Sequence, residues 1–229
     1  MTGSPSREYI FSVKTVAQLD EYLSVHTTPL YEESEYIQRL VYIEEMSDVI
    51  PMIFIMGGSQ GSHIMNETVA ALLPELAKDH IVYLQTGDNQ VMKDYDKIMN
   101  QVAAMPRELQ KNIIVRKFIY EEMGLLYHNA RQFVGRSGAN TVYEIGMIGI
   151  PAIFVPIPWV TKNEQYTNAK IIKDLGFAEI IEQDHFSPEV LHNTLRKLET
   201  AKVPPAEELQ KVFPRDAAEN LTKEILKFL

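Results

Sequence analysis

Two stretches of the chain combine an apolar run, a glycine-rich turn and a helix-forming sequence, the arrangement that cradles a phosphate group. The first turn is GGSQG at 57–61, which follows the apolar run MIFIM. Its glycines permit positive φ and close approach of a ligand to backbone amides, and the next helix presents unpaired N–H groups to an anion. It has neither the Walker lysine nor GxGxxG spacing. A plain tight β–α connection remains an alternative interpretation.

The second stretch, VGRSGANTVYEIGMIGIP at 134–151, repeats this design with a helix beginning near Asn140 or Thr141. Two helix N-termini would then face one cleft beyond the carboxyl ends of the strands, where open α/β sheets bind ligands. Glu144 lies one turn into this helix, where its carboxylate can accept hydrogen bonds from the vicinal hydroxyls of a ribose. The alternative is a capping box, because Thr141-x-x-Glu144 has the required spacing.

A third polar cluster follows the fifth predicted strand, in PIPWVTKNEQYTNA at 156–169. Glu164, Gln165 and Asn168 combine carboxylate and amide groups, which suit the hydroxyls of a sugar because they both accept and donate hydrogen bonds. An ordinary polar helix N-terminus is the alternative.

Apolar, β-branched runs alternate with helical patterns along most of the chain, which predicts an α/β fold. The predicted strands are 49–56, 81–86, 112–118, 132–135, 152–156 and 179–181. Several are apolar throughout, as in strands buried on both faces. Helices are predicted after GGSQG and at 91–104, 121–130, 140–149, 163–175, 187–199 and 216–228. We therefore expect a doubly wound parallel sheet with helices on both faces.

Three segments carry expectations of their own. Pro74 is expected to kink or interrupt the helix after GGSQG. The proline-punctuated residues 202–214 are predicted to be a linker. The acidic residues 31–48 are interpreted either as a surface helix or as a solvated, mobile arm. Residues 1–48 are accordingly taken as a lead-in to the α/β domain at 49–229.

Composition excludes several classes of protein. The 229 residues carry a net charge of −9 and no cysteine. The acidic total argues against a nucleic-acid partner, and a disulfide scaffold or thiolate zinc site is excluded. No apolar run approaches the roughly 18 residues that span a bilayer, and the N-terminus lacks signal-peptide regions. A cytoplasmic protein is expected.

Taken together, GGSQGSHIMNE, RSGANTVYEIGMIGIPAIFVPIP and NEQYTNA…LGFAEIIEQ resemble the C-terminal, nucleotide-sugar-binding domain of the MurG-type N-acetylglucosaminyltransferases, which have the two-domain GT-B fold. TGSPSR at 2–7, KFIYEEM at 117–123 and PRDAAENLTKEIL at 214–226 are also similar to segments of that family. The resemblance covers nearly all of the chain except an acidic insertion around residues 12–48.

The resemblance implies UDP-N-acetylglucosamine as donor. Ser59 would contact the diphosphate, the start of the 140–149 helix would hold the α-phosphate, Glu144 would bind the ribose, and the backbone at Ile119 would bind the uracil edge. Glu164 and Gln165 would address the sugar. The implied substrate-binding residues are Arg7, Gly58, Ser59, Gln60, Phe118, Ile119, Gly138, Ala139, Asn140, Thr141, Glu144, Glu164, Gln165 and Asn168.

The implied reaction is inverting transfer to undecaprenyl-pyrophosphoryl-MurNAc-pentapeptide in peptidoglycan synthesis, with no cofactor and no metal. The resemblance places the catalytic base, the acceptor site and the membrane-facing surface in an N-terminal domain that this sequence lacks. An excised domain, a truncated reading frame and one subunit of a split transferase are all compatible with that absence. The complete enzyme is expected at the inner face of the cell membrane.

Two other functions stay open. The pair Glu164-Gln165 is similar to the acid-plus-glutamine pair of transferases that use UDP-glucose or UDP-galactose, so another UDP-hexose transferase for a lipid-linked glycan or exopolysaccharide is the first alternative. His63 also stands where relatives often have arginine. The second alternative is a non-catalytic UDP-sugar-binding module. An oxidoreductase is disfavoured because the dinucleotide fingerprint is missing.

Overall fold

Six parallel strands form one sheet in the computed structural model, which describes residues 9–25, 34–58, 60–160, 163–216, 222–223 and 225–227. The strands are β1 (Met52–Met56), β2 (Ile81–Gln85), β3 (Ile113–Arg116), β4 (Ala130–Gly135), β5 (Ala152–Phe154) and β6 (Ala178–Ile180). Their order in the sheet is β3-β2-β1-β4-β5-β6. Each of the six runs predicted as strands overlaps one of these, so the predicted doubly wound α/β fold is confirmed.

Eleven helices are described around this sheet. They are α1 (Tyr9–Ser12), α2 (Val16–Val25), α3 (Ser34–Met46), α4 (His63–Leu76), α5 (Asp94–Ala103), α6 (Arg107–Gln110), α7 (Met123–Asn129), α8 (Ala139–Ile148), α9 (Glu164–Asp174), α10 (Pro188–Leu198) and α11 (Ala206–Val212). A 3-10 turn covers Gln183–His185. Of the helix predicted at 216–228, residues 222–223 and 225–226 are helical, and most of the others lie outside the described residues. No described helix is long and apolar enough to cross a membrane.

The alternation of side chains along β1 explains why helices cover both faces. Met52 and Phe54 point into the core that includes α3, α7 and α8, whereas Ile53 and Ile55 point into the core beneath α4 and α10. Since successive side chains of a strand point to opposite faces, an all-apolar strand needs an apolar partner on each side. The sheet is therefore the middle layer of three.

Helix α4 continues through Pro74 to Leu76, so the expected interruption does not occur. Proline has no N–H with which to bond the carbonyl four residues earlier, that of Ala70. The side-chain amide of Gln101 in α5 donates to this carbonyl oxygen instead, at 2.7 Å. A neighbouring helix thus supplies the hydrogen bond that Pro74 removes.

Residues 206–212 form α11, so the predicted linker at 202–214 is wrong over this part. The ring of Phe213, just after α11, meets Tyr143 of α8 edge to face at 5.6 Å. A Cβ on Gly146 would stand 2.4 Å from the Phe213 ring, so the absent side chain in α8 leaves the space that this ring fills. The prolines start a short helix here and do not prevent one.

Helix α3 lies within the acidic stretch 31–48, so the interpretation as a helix is confirmed there. The alternative of a solvated arm is wrong for residues 34–46. Tyr36, Leu40 and Ile43 follow the i, i+4, i+7 spacing, and none is more than 4% exposed. They join the core that includes Phe54 of β1. The charged side chains of α3 occupy its other faces, as expected of an amphipathic helix.

Candidate ligand-binding site

A cleft of about 460 Å³ lies at the carboxyl ends of the central strands, where β1 and β4 are neighbours and the strand order reverses. Open α/β sheets bind ligands at such a position, and the volume falls within the range of small-molecule sites. Its lining residues are Met56, Gly58, Gln85, Phe118, Ile119, Tyr120, Met123, Asn140 and Thr141. Five of these belong to the implied binding set: Gly58, Phe118, Ile119, Asn140 and Thr141.

The glycine turn after β1 has one open side and one crowded side. Gly58 has φ of 90°, and no atom lies within 4 Å of where its Cβ would be. Gly61 has φ of 76° and is pressed against the carbonyl of Thr86. The open side faces the cleft and the crowded side faces the turn after β2. Gln60 is exposed, while Ser59 and Arg7 lie outside the described residues.

The second turn places the N-terminus of α8 at the cleft. Gly138 is the N-cap residue with φ −61° and ψ 151°, and no side chain caps this end. Ala139 is therefore the first helical residue and Thr141 the third, which rules out the capping box that required Thr141 at the N-cap. The amides of the first helical turn have no intrahelical acceptor, so they are suited to bind an anion.

Glu144 lies on α8 one turn beyond Thr141 and is 2% exposed. The hydroxyl of Tyr127 in α7 donates to Oε2 of Glu144 at 3.1 Å. Glu144 is not part of the cleft lining, although Thr141 at i−3 on the same helical face is. The structure therefore places this carboxylate behind the wall of the cleft, held by a buried phenol.

Arg136, directly after β4, holds a buried positive charge at the same edge of the sheet. Its guanidinium donates to Val155 O at 2.7 Å, to Ser62 Oγ at 2.7 Å and to Gln183 Oε1 at 2.8 Å. All three acceptors are neutral, and burial lowers the pKa of Arg136 to about 10. The side chain thus remains charged at neutral pH.

The arrangement around Arg136 favours an anion. Its Nε is buried without a hydrogen-bond partner among the described residues. A buried cation whose contacts are neutral is stabilised by any negative charge that approaches it. Arg136 was not predicted as a site residue, because its three acceptors come from distant parts of the chain.

The loop from Lys117 to Glu122 forms one wall of the cleft through Phe118, Ile119 and Tyr120. Gln85 of β2 donates through Nε2 to Lys117 O at 2.9 Å, and the amide of Tyr120 donates to Glu122 Oε2 at 2.9 Å. Gln85 is 2% exposed, and its Oε1 is buried with no hydrogen-bond partner in the described part of the chain. Gln85 was not predicted as a site residue, although a polar residue at the end of the apolar run IVYL was a usable signal.

Helix α9 carries the three residues implied for the sugar, and they do not line the cleft. Gln165 Oε1 accepts from the amide of Ile157 at 3.0 Å, and Asn168 Nδ2 donates to Ser137 O at 3.2 Å. These two amides therefore brace the neighbouring loops, while Glu164 is exposed. Asn163, at the N-cap, makes no side-chain cap bond, so the alternative of a simple polar N-cap is not supported.

Beside α9 lies a further cavity of about 300 Å³, lined by Pro156, Pro158, Asn163, Tyr166, Glu182, Gln183 and Asp184. It shares Gln183 with the contacts of Arg136. Within the described ranges, no three His, Asp or Glu side chains are placed so as to hold a metal ion together.

Comparison with known proteins gives a match over most of the chain. A family model described as the glycosyltransferase family 28 C-terminal domain matches residues 52–222. The chain is 29% identical over 174 residues to the UDP-N-acetylglucosamine–N-acetylmuramyl-(pentapeptide) pyrophosphoryl-undecaprenol N-acetylglucosamine transferase of Aquifex aeolicus. The aligned residues are 76% of this chain and 47% of that protein. It is 35% identical over 146 residues to the transferase of the same name from Haemophilus influenzae, covering 64% and 39%.

A solved structure shows the same similarity. The crystal structure of MurG from Acinetobacter baumannii superimposes with a TM-score of 0.57 at 26% sequence identity, covering 82% of this chain and 52% of that one. The chain thus spans about half the length of the proteins it matches. The match falls on the part that carries both glycine turns and helices α8 and α9.

Proposed function

The chain belongs to the glycosyltransferase family 28 C-terminal domain family, and from that premise we propose that it is the donor-binding part of a UDP-N-acetylglucosamine transferase. Residues 49–229 form the donor domain, and residues 1–48 lead into it. The acceptor is the lipid-linked muramoyl pentapeptide named for the relatives, so the complete enzyme works at the inner face of the cell membrane. The observation that carries the proposal is the convergence of two glycine turns and Arg136 at one edge of the sheet.

The proposed donor pose follows from the chemistry of the cleft walls. The diphosphate lies between the open side of Gly58 and the N-terminus of α8, where amide N–H groups and the Arg136 charge favour an anion. The uracil lies against the Phe118–Tyr120 wall, which offers backbone groups and aromatic surface. The ribose hydroxyls are assigned to Glu144, which lies one turn beyond the cleft-lining Thr141 on α8. The sugar then points toward α9.

In the proposed reaction a hydroxyl of the acceptor attacks the anomeric carbon of the donor. The bond from that carbon to the diphosphate oxygen breaks, and UDP leaves with an additional negative charge. Preorganised N–H donors and a fixed cation stabilise such a developing charge more in a dry site than in water. The proton of the attacking hydroxyl passes to a general base that we place outside this chain, in the part of the relatives that the chain does not match.

Calorimetric titration with UDP-N-acetylglucosamine, UDP-glucose, UDP-galactose and UDP, in the presence of EDTA, tests the proposal. We expect saturable binding with preference for the N-acetylglucosamine donor, and its loss in Glu144→Ala. Glu189→Ala, which removes an exposed carboxylate on α10, is the control for the change in net charge. Equal binding of all UDP-sugars would favour another UDP-hexose transferase. Binding without turnover, after addition of an acceptor domain from a relative, would favour the non-catalytic module. Absence of binding would contradict the proposal.

A further inference from the structure

Helix α3 is tied to the sheet at several points, although its sequence belongs to the lead-in before the α/β domain. Tyr42 donates to Asn112 Oδ1 at 2.6 Å, and Arg39 donates to the carbonyl of Lys111 at 3.0 Å, both just before β3. After the helix, Ser47 Oγ donates to Asn129 Oδ1 at 2.8 Å. These contacts fix α3 against the start of β3 and the end of α7, the elements that precede and follow the Lys117–Glu122 loop.

Near its first turn α3 contributes Tyr36 to a buried chain of hydrogen bonds. Tyr36 OH donates to Glu122 Oε1 at 2.7 Å and lies 2.6 Å from Tyr83 OH. Because a phenol has one proton and a carboxylate only accepts, Tyr83 must be the donor to Tyr36. Burial raises the pKa of the Tyr36 phenol and that of the Tyr83 phenol well above the usual value for tyrosine, so both keep their protons. The hydrogen bonds are therefore donated in one direction, from Tyr83 to Tyr36 and from Tyr36 to Glu122.

This series of hydrogen bonds ends at the wall of the cleft. The second oxygen of Glu122 accepts from the amide of Tyr120 at 2.9 Å, and Tyr120 lines the cleft together with Phe118 and Ile119. Residues 117–122 have no helix or strand of their own, so side-chain contacts such as this one determine their shape. Glu122 is 1% exposed, and such a buried carboxylate is stable only when its oxygens are hydrogen-bonded.

The ring of Tyr36 makes a second contact with the same region. The guanidinium carbon of Arg116, the last residue of β3, lies 3.9 Å from the centroid of this ring. A cation over an aromatic face is attracted by the ring quadrupole. Tyr36 therefore contacts the residue where the strand ends and the carboxylate where α7 begins, on either side of the cleft wall.

We propose that Tyr36 of α3 is a positioning residue for the donor, which sets the shape of the Lys117–Glu122 loop through Glu122. This rests on the proposed function, since it takes the Phe118–Tyr120 wall as the side that contacts the nucleobase. The lead-in is then part of the donor site and not an appended segment. A different residue at position 36 changes nucleotide affinity without touching the ligand.

Tyr36→Phe tests this inference because it keeps the ring and removes only the hydroxyl. We expect the affinity for UDP, measured by calorimetry, to fall about tenfold, which corresponds to 1.4 kcal/mol. Amide hydrogen exchange at Tyr120, measured by NMR without nucleotide, is expected to accelerate by about the same factor. Glu122→Gln is the second variant, because a side-chain amide cannot accept from both Tyr36 and the Tyr120 amide through two oxygens.

Tyr42→Phe is the matched control, since it removes a hydroxyl from the same helix whose bond does not lead to the loop. We expect it to bind UDP as the unmodified chain does. Equal weakening by Tyr36→Phe and Tyr42→Phe would overturn the inference, because general loosening of α3 would explain both. Unchanged exchange at Tyr120 in Tyr36→Phe would also overturn it. Failure of the unmodified chain to bind UDP would instead contradict the proposed function, and the exchange measurement separates the two failures.

Discussion

A Cβ atom on Gly61 would stand 1.9 Å from the carbonyl oxygen of Thr86, so the turn after β1 and the turn after β2 are in direct backbone contact. The contact is reciprocal, because a Cβ on Gly87 would stand 2.4 Å from the carbonyl oxygen of Gln60. Thr86 directly follows β2, so its carbonyl cannot move aside without displacing the end of that strand. The first glycine turn is thus held in shape by its neighbour and not only by its own residues.

Gly61→Ala is expected to lower the free energy of unfolding by about 3–5 kcal/mol, because the methyl group adds a backbone clash to the strain of a positive φ. Gly176→Ala is the matched control, since Gly176 has φ of 90° but nothing within 4 Å of its Cβ position. It should cost only about 1–2 kcal/mol. Chemical denaturation of both variants checks this, and equal losses would mean that the close contact contributes nothing.

Gly138→Ala is expected to fold normally and to bind UDP about tenfold more weakly. Its φ of −61° suits alanine, and no protein atom lies within 4 Å of the added Cβ. The open space there is the space that we assign to the diphosphate. Changing this N-cap residue should alter the unfolding free energy by less than about 1 kcal/mol. Thermal unfolding and calorimetry together check the prediction, and undiminished UDP binding would place the diphosphate elsewhere.

Arg136→Met is expected to weaken UDP binding about 10- to 100-fold while leaving the affinity for uridine unchanged. The reason is that, in the proposed donor pose, the buried guanidinium acts on the diphosphate charge and makes no contact with the nucleoside. Stability should change little, by about 1–2 kcal/mol, because relief of the burial of an uncompensated charge offsets the loss of its three hydrogen bonds. Calorimetric titration of the variant and the unmodified chain with UDP and with uridine measures both losses of affinity. Equal losses for both ligands would show that Arg136 acts only through the fold.

Stability is expected to fall as the pH drops below the ordinary pKa of histidine, in part through His80. Burial lowers the pKa of His80, and its Nδ1 has no hydrogen-bond partner among the described residues. Since the folded-state pKa lies below the unfolded value of 6.5, the unfolded chain binds more protons between these two values. The stability contributed by neutral His80 is complete above pH 6.5 and is lost as pH falls toward the folded-state pKa.

Thermal unfolding between pH 7.5 and pH 5 measures this effect, which is of the order of 1 kcal/mol or less for a partly exposed group. His80→Gln keeps a polar side chain of similar length and does not titrate. The variant should therefore show a shallower dependence of unfolding temperature on pH. Parallel slopes for the two proteins would assign the dependence to other groups.

Much of the fold was predictable from the sequence, because β1 and β2 are apolar on both faces and only a doubly covered sheet buries such strands. The burial of α3 was less evident. Tyr36, Leu40 and Ile43 have helical spacing, but the acidic residues around them dominated the interpretation. Helix α11 was missed because prolines that start a helix and prolines that end one look alike in a sequence.

Some residues of the candidate site were also predictable from the sequence, and others were not. Gly58 and the start of α8 were predictable because glycine turns and helix N-termini are local features. Arg136 and Gln85 were missed because their importance depends on groups far away in the sequence. For Arg136 these are Ser62, Val155 and Gln183, which meet only when β1, β4, β5 and β6 assemble.

The bond from Gln101 to the carbonyl of Ala70 has a consequence for how this domain varies among its relatives. A proline at position 74 is tolerable only while a donor reaches that carbonyl from α5, and a residue with an N–H at 74 would compete with Gln101 for the same oxygen. The residues at positions 74 and 101 are therefore expected to covary. We expect them to change together, so that relatives without the proline have no preference for glutamine at the facing position.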